Sequence, residues 1–220
     1  MKRLIVVTQT SKYHSFVFKD GSIVYGHKLV VFPIATNSHF SVLQSVVHTE
    51  WVHSYGSSLE TRPVYTPSDC FETFPFPESF AGLESVGQRY YTCRQSIMQS
   101  RFEGLTKTYN RFHDPLEKGL DIFELRSLHL EMDNAVAAAY HWNNFDFGHA
   151  FRETKHGMRY TISEAARREV LDRLLTLNHQ RHAEEESEEA AAFNSLSRSA
   201  RKQKRKPEKD SMDPASSLFV

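Results

Sequence analysis

Along the first third of the chain the apolar residues come in short runs, and the runs predict strands. Leu4-Ile5-Val6-Val7 is a continuous apolar stretch, His14-Ser15-Phe16-Val17-Phe18 alternates, and Lys28-Leu29-Val30-Val31-Phe32 closes at Pro33. Asp20-Gly21, ahead of Ile23-Val24-Tyr25, predicts a hairpin turn, because glycine accepts a positive φ without steric cost. The period then changes. Phe40, Leu43, Val47 and Trp51 stand three or four residues apart, which predicts one helix starting near Phe40, capped by Asn37 or Ser38 and stopping at Tyr55-Gly56. The stretch Tyr65 to Pro77 holds Pro67, Pro75 and Pro77 and predicts a loop or edge strand packed by aromatics.

From Leu83 onward the pattern is helical, in segments Leu83 to Phe102, Leu105 to Phe112 and Ile122 to Tyr140. His113-Asp114-Pro115 breaks the run, and Trp142 to Gly148 reads as a connection. Thr161-Ile162-Ser163-Glu164 fits a capping box, with Thr161 and Glu164 satisfying free backbone donors ahead of a long helix. Val170, Leu171, Leu174, Leu175 and Leu177 form its apolar stripe. Past His182 an acidic run, Glu184 to Glu189, precedes a basic, Pro-interrupted run, Arg198 to Lys209, and these predict a disordered tail. The architecture expected is α+β: a small N-terminal antiparallel sheet with a packed helix (1–80), a mainly helical C-terminal unit (81–182) and a disordered charged tail (183–220).

Composition supports a folded body, since 40% of the 220 residues are hydrophobic and 16 are Phe. Lys plus Arg and Asp plus Glu are equal at 27 each, so any basic face must be local. Cys70 and Cys93 cannot build a disulfide framework, no apolar run approaches the roughly 20 residues of a membrane span, and Met1-Lys2-Arg3 leads into a run too short for a signal peptide. A cytoplasmic protein with no membrane partner is expected. Among the 12 histidines, His48 and His53 are five apart and do not share a helix face as metal ligands would, and His-Glu-x-x-His is absent, so no metal is expected. Cys70 has no His and acid beside it and reads as a buried structural thiol.

Several segments in order carry a family resemblance. These are Leu43 through Trp51, Tyr55-Gly56-Ser57-Ser58-Leu59, and Tyr65-Thr66-Pro67-Ser68-Asp69-Cys70-Phe71-Glu72-Thr73-Phe74-Pro75-Phe76-Pro77. Later come Leu125 to His129, Met132-Asp133, Ala139 to Trp142, Arg159 to Glu164 and Leu171 to Asn178. Over about residues 4–182 the chain resembles the target-recognition and helical C-terminal region of type II (IIG-like) restriction-modification adenine-specific DNA methyltransferases and related phage-defence methylases. Where that family usually has Tyr-Gly-Trp this chain has Tyr140-His141-Trp142, a departure that bears on the local turn.

The resemblance implies a DNA-recognition fragment that is not catalytic alone. Such enzymes bind S-adenosylmethionine through a Gly-containing loop and hold the target adenine with an Asn/Asp-Pro-Pro-aromatic motif. Neither occurs here. Asp114-Pro115-Leu116 lacks the second proline and the aromatic, and Pro115 to Lys118 is a poor match to a nuclease site. The chain is therefore expected to bind no cofactor, with S-adenosylmethionine belonging to the parent enzyme. Double-stranded DNA and a methyltransferase catalytic domain or subunit are the partners implied. A specificity subunit joining a separately encoded methylase, or a decayed remnant with only a protein-interaction surface, are the alternatives.

Candidate DNA contacts are Gln9, Ser11, Lys12, His14 and Lys28 in the β part, with Arg62, Arg89, Arg94 and Arg101 beyond it. In the motif, Tyr65, Ser68, Asp69, Phe71, Phe74, Pro75, Phe76 and Pro77 are assigned structural roles. The Phe71, Phe74 and Phe76 ladder could stack on a flipped base, but packing a sheet onto helices is the commoner use of such a cluster. Thr66, Ser68 and Asp69 can bond their own backbone in a turn.

Overall fold

The computed structural model describes residues 2–59, 62–155 and 157–203. β1 (Arg3–Thr8) is the centre of a three-stranded antiparallel sheet, flanked by β2 (Val17–Asp20) and β3 (Leu29–Phe32). Neighbouring residues of a strand face opposite sides, so the burial of Leu4, Ile5, Val6 and Val7 in succession means that β1 is covered on both faces. The predicted hairpin at Asp20-Gly21 is corrected by this order, because the partner of β2 is β1 and Ile23-Val24-Tyr25 lies in the loop leading to β3. Ile23 and Val24 are exposed there. Asp20 ends the strand by an Asx turn instead, its carboxylate accepting from the Ser22 N–H at 2.9 Å and hydroxyl at 2.7 Å.

The helix predicted from Phe40 to Tyr55 is two helices, α1 (Asn37–Gln44) and α2 (Val46–Tyr55). Thr36, rather than Asn37 or Ser38, caps the first by accepting from the His39 N–H at 3.3 Å. Ser45 breaks the run by capping the second. The buried carboxylate of Asp133 accepts from the Val46 N–H at 2.8 Å, placing a negative charge at the start of α2 where the helix dipole favours it. Phe40, Leu43, Val47 and Trp51 are buried as their spacing predicts. Gly56 follows α2 in extended conformation, and its value is closeness, since a Cβ there would meet the Val52 carbonyl at 2.5 Å and Cys70 Sγ at 3.0 Å.

A short ribbon, β4 (Ser57–Leu59) with β5 (Arg62–Val64), leads to the one-turn helix α3 (Pro67–Cys70). α4 (Leu83–Ser100), α5 (Leu105–Phe112) and α6 (Leu120–Ala139) follow as the periodicity predicts. Ile5, Val7, Phe16 and Tyr65 share one core with Tyr90, Ile97, Ile122, Leu125 and Met132, so sheet and helices bury each other across residue 80. α6 ends in a Schellman turn: the His141 N–H donates to the Ala138 carbonyl and the Trp142 N–H to that of Ala137, both at 2.9 Å. His141 stands at φ +61°, the left-handed position that glycine fills without strain. The Tyr140-His141-Trp142 departure thus falls on the turn itself. His141→Gly is expected to raise the unfolding midpoint in urea, by roughly 0.5–1 kcal/mol of stability.

The C-terminal unit is mainly helical, as predicted, and also contains a hairpin, β6 (Ala150–Thr154) and β7 (Gly157–Thr161), with Phe151 paired to Tyr160. α7 (Glu164–Gln203) comes next. The capping box is corrected in position: Ser163, not Thr161, caps α7 by accepting from the Ala166 N–H at 3.1 Å, and Glu164 pairs with Arg167 and Arg168. Ala166, Val170 and Leu174 are fully buried, with Leu171 and Leu175 half-buried.

The chain divides into a unit from Met1 to Asn178 and a second from His179 on. The second is helical as far as Gln203, which corrects the disorder predicted from 183 for that stretch. Glutamate and alanine favour helix, and i,i+4 pairs support it, with Gln180 to Glu184 at 3.0 Å and His182 to Glu186 at 3.6 Å. The rest of the predicted tail, 204–220, lies outside the described residues.

Candidate nucleic-acid interface

β1 is antiparallel to β3, so the end of one lies beside the start of the other, with Thr8 opposite Leu29. The Gln9 N–H donates to the Lys28 carbonyl at 2.9 Å, and the Gln9 carbonyl accepts from the Tyr65 N–H at 2.7 Å. Thr10 bridges to Val64 of β5. Three segments far apart in sequence therefore meet at one end of the sheet, and they carry Gln9, Ser11, Lys12, Lys28 and Arg62. Gln9, Lys12, Lys28 and Arg62 are exposed and Ser11 is half-buried. Lys12 Nζ donates to Asn110 Oδ1 at 2.9 Å, which fixes the 9–13 segment to α5.

From Lys12 the surface turns into a cleft of about 500 Å³, walled by Tyr13 and His14, by Thr49 and Glu50 of α2, and by the β6–β7 hairpin. Lys12 Nζ lies 5.1 Å and Arg159 Cζ 5.0 Å from the centre of the Tyr13 ring, which also stacks on His113 at 5.0 Å. His113 Nδ1 accepts from the Tyr160 N–H at 3.1 Å and ties the hairpin to the end of α5. Lys12, Arg152, Lys155, Arg159 and Arg167 line the cleft against Glu50, Glu153 and Glu164. Arg167 Nε holds Glu50 at 2.8 Å, opposing the burial that pushes this carboxyl up from its usual range. A chain of zero net charge thus has a locally basic surface.

The remaining predicted contacts do not join this face. Arg94 is fully buried: its guanidinium donates to Gln44 Oε1 and Tyr109 OH, each at 3.0 Å, and to the Phe16 carbonyl. Arg94 is therefore a core residue and not, as its charge predicts, a DNA contact. Arg101 is held in a fork by Asp121, at 2.7 and 2.6 Å, and Arg89 pairs with Glu131 of α6. His14 borders the cleft, but burial pushes its pKa down to about 4, so the ring is neutral at physiological pH and attracts no phosphate by charge.

The motif residues pack. The Phe71 and Phe76 rings lie 5.3 Å apart, Phe74 and Phe76 5.0 Å, and Phe71 reaches Phe32 of β3 at 4.8 Å. The buried Pro75 gives its carbonyl to Tyr140 OH at 2.9 Å, and Pro77 is buried as well. Ser68 Oγ donates to Asp69 Oδ1 at 3.0 Å within the α3 turn. Tyr65 is fully buried and its hydroxyl lies 3.2 Å from Nε2 of His48, whose Nδ1 faces the Leu43 carbonyl at 3.0 Å. Nε2 also lies 3.1 Å from the Cys70 carbonyl, and burial pushes His48 down to about 3, so the neutral ring has one N–H to donate to one of these two carbonyls. Cys70 is buried, which raises its thiol pKa. Among the described residues no group of three or more His, Cys, Asp or Glu could hold a metal ion, and no helix is long and apolar enough to cross a membrane.

Sequence reasoning missed Tyr13, Arg152, Lys155 and Arg159. The signal available was a Gly157 turn with basic residues on both sides, in a stretch lacking clear alternation.

Comparison with known proteins bears on this face. Residues 3–78 match the family described as MmeI, target recognition domain. The fold is similar to that of the type IIL restriction-modification enzyme MmeI, solved in complex with DNA, with a TM-score of 0.55 at 19% identity. The similarity covers 83% of this chain and 22% of the MmeI chain. Among curated proteins none matches. Residues 3–78 are thus similar to the MmeI target recognition domain, and the fold is shared with part of the MmeI chain.

Proposed function

We propose that this chain is the DNA-recognition part of a restriction-modification N6-adenine methyltransferase, supplying affinity and sequence selectivity while a methyltransferase domain or subunit holds S-adenosylmethionine and the target base. The observation that carries the reading is the meeting of Gln9, Ser11, Lys12, Lys28 and Arg62 at one end of the sheet, within the span that matches a target recognition domain. The solved MmeI complex contains DNA, which supports duplex DNA as the partner. Lys12 and Lys28 suit phosphate oxygens as compact charges. Arg62 and Gln9 have the forked donors and acceptors that read guanine and adenine edges.

Fluorescence anisotropy with labelled duplexes tests this. Lys12→Gln is expected to weaken binding about equally on all sequences and to reduce the salt slope by about 1. Gln9→Ala is expected to cost about 1–3 kcal/mol on the preferred sequence and little on others. The chain alone should transfer no methyl group from S-adenosylmethionine to DNA, and turnover by it would refute the reading.

A further inference from the structure

Arg152 and Arg159 stand directly opposite each other on the antiparallel β6–β7 hairpin, so their side chains leave the same face. Like charges in that position repel and destabilise a hairpin. Most such pairs would be relieved by a carboxylate. Here no salt bridge to Arg152 or Arg159 occurs among the described residues, and their hydrogen bonds are to carbonyls, Arg152 Nη2 to Gly148 at 2.9 Å and Arg159 Nη1 to Met158 at 2.9 Å. Arg152 Nε is buried with no partner at all. Partial burial also lowers the Arg159 pKa, against the opposing pull of Tyr13 and Glu153. Both arginines border the cleft, together with Lys155 near the hairpin tip and Lys12 on the facing wall.

We propose that the Arg152–Arg159 pair is a phosphate-binding site, in which one phosphate group bridges the two guanidiniums and Lys12 or Lys155 completes its neutralisation. A tetrahedral dianion or a phosphodiester accepts from two forks at once and turns the repulsion into attraction. The two arginines lie outside residues 3–78, whereas Lys12 belongs also to the duplex-reading face, so a DNA strand gripped there continues onto the hairpin. The source of the phosphate as DNA rests on the proposed function; the anion site does not.

The test compares the chain with the Arg152→Gln/Arg159→Gln double variant in two assays. Inorganic phosphate, against chloride at equal ionic strength, should raise the Tm of the unaltered chain by about 2–4 °C and leave that of the variant unmoved. In phosphate-free buffer the variant should be at least as stable as the parent, because a repulsion has been removed, whereas arginines with a structural role would leave it less stable. In duplex titrations the variant's salt slope should be smaller by about 1–2. Phosphate stabilisation with an unchanged DNA slope keeps the site and assigns it to a free anion, counting only against its place on the DNA track. No phosphate effect on the parent, or a variant less stable without phosphate, overturns the proposal.

Discussion

Arg94→Ala is expected to lower the stability of the fold by roughly 3–5 kcal/mol, among the largest effects of any single substitution here. The guanidinium is fully enclosed and bound to neutral acceptors, Gln44 Oε1, Tyr109 OH and the Phe16 carbonyl, with the Phe40 and Tyr91 rings 5.3 and 5.4 Å away. Phe16 lies just ahead of β2, so its backbone has no ladder partner; its N–H donates to Gln44 Oε1 at 3.0 Å and its carbonyl takes Arg94. Removing the side chain leaves buried acceptors unpaired and a cavity between α1, α4 and the sheet. Arg94→Lys should recover little, because an ammonium cannot span the same acceptors as a planar fork. Urea unfolding measures the loss. Below its unfolding temperature the alanine variant should bind duplex as the parent does, which separates a structural arginine from a DNA contact.

The second large effect is on pH. Burial holds His14 at about 4 and His48 at about 3, from 6.5, and also lowers His113 and His129. A histidine whose folded pKa is depressed contributes stability that is complete above 6.5 and is lost as pH falls through the folded value, because the unfolded chain takes up protons that the folded one refuses. For His14 and His48 the window runs from about 6.5 down to 3–4. At pH 5 each is expected to have cost on the order of 2 kcal/mol relative to pH 8. Burial raises the Glu50 pKa, which acts in the opposite sense, but it is one carboxyl against several rings. Stability by chemical denaturation should therefore drop between pH 7 and 5, and His48→Gln should flatten the curve while lowering it throughout. A flat profile across that range would show that these rings are solvated.

How much of this was legible in the chain depended on how local the cause was. α4, α5 and α6 announce themselves because their apolar stripes repeat at helical spacing, and Phe40, Leu43, Val47 and Trp51 give their buried face away for the same reason. The break at Ser45 is only half local: Ser45 caps α2, but the carboxylate that takes the Val46 N–H is that of Asp133, 87 residues beyond Val46. Ile23-Val24-Tyr25 has strand chemistry and no strand, because β1 already has a partner on each edge. The β6–β7 hairpin lacks alternation, being packed through Phe151 and Tyr160 against Arg126 and Phe112. The default that charge seeks water places Arg94 outside, and only the enclosing acceptors from α1, α5 and the β2 approach reveal otherwise. The gathering of Gln9, Lys28 and Arg62 is likewise a product of strand order, which residue types alone do not encode.

The most direct test of the central claim is the affinity of the purified chain for a mixed-sequence duplex, measured between 50 and 200 mM salt. Binding through Lys12, Lys28, Arg62 and the hairpin arginines predicts a log affinity that falls linearly with log salt, by a slope of about 3–5 for that many phosphate contacts. Absence of duplex binding even at the lowest salt would contradict it.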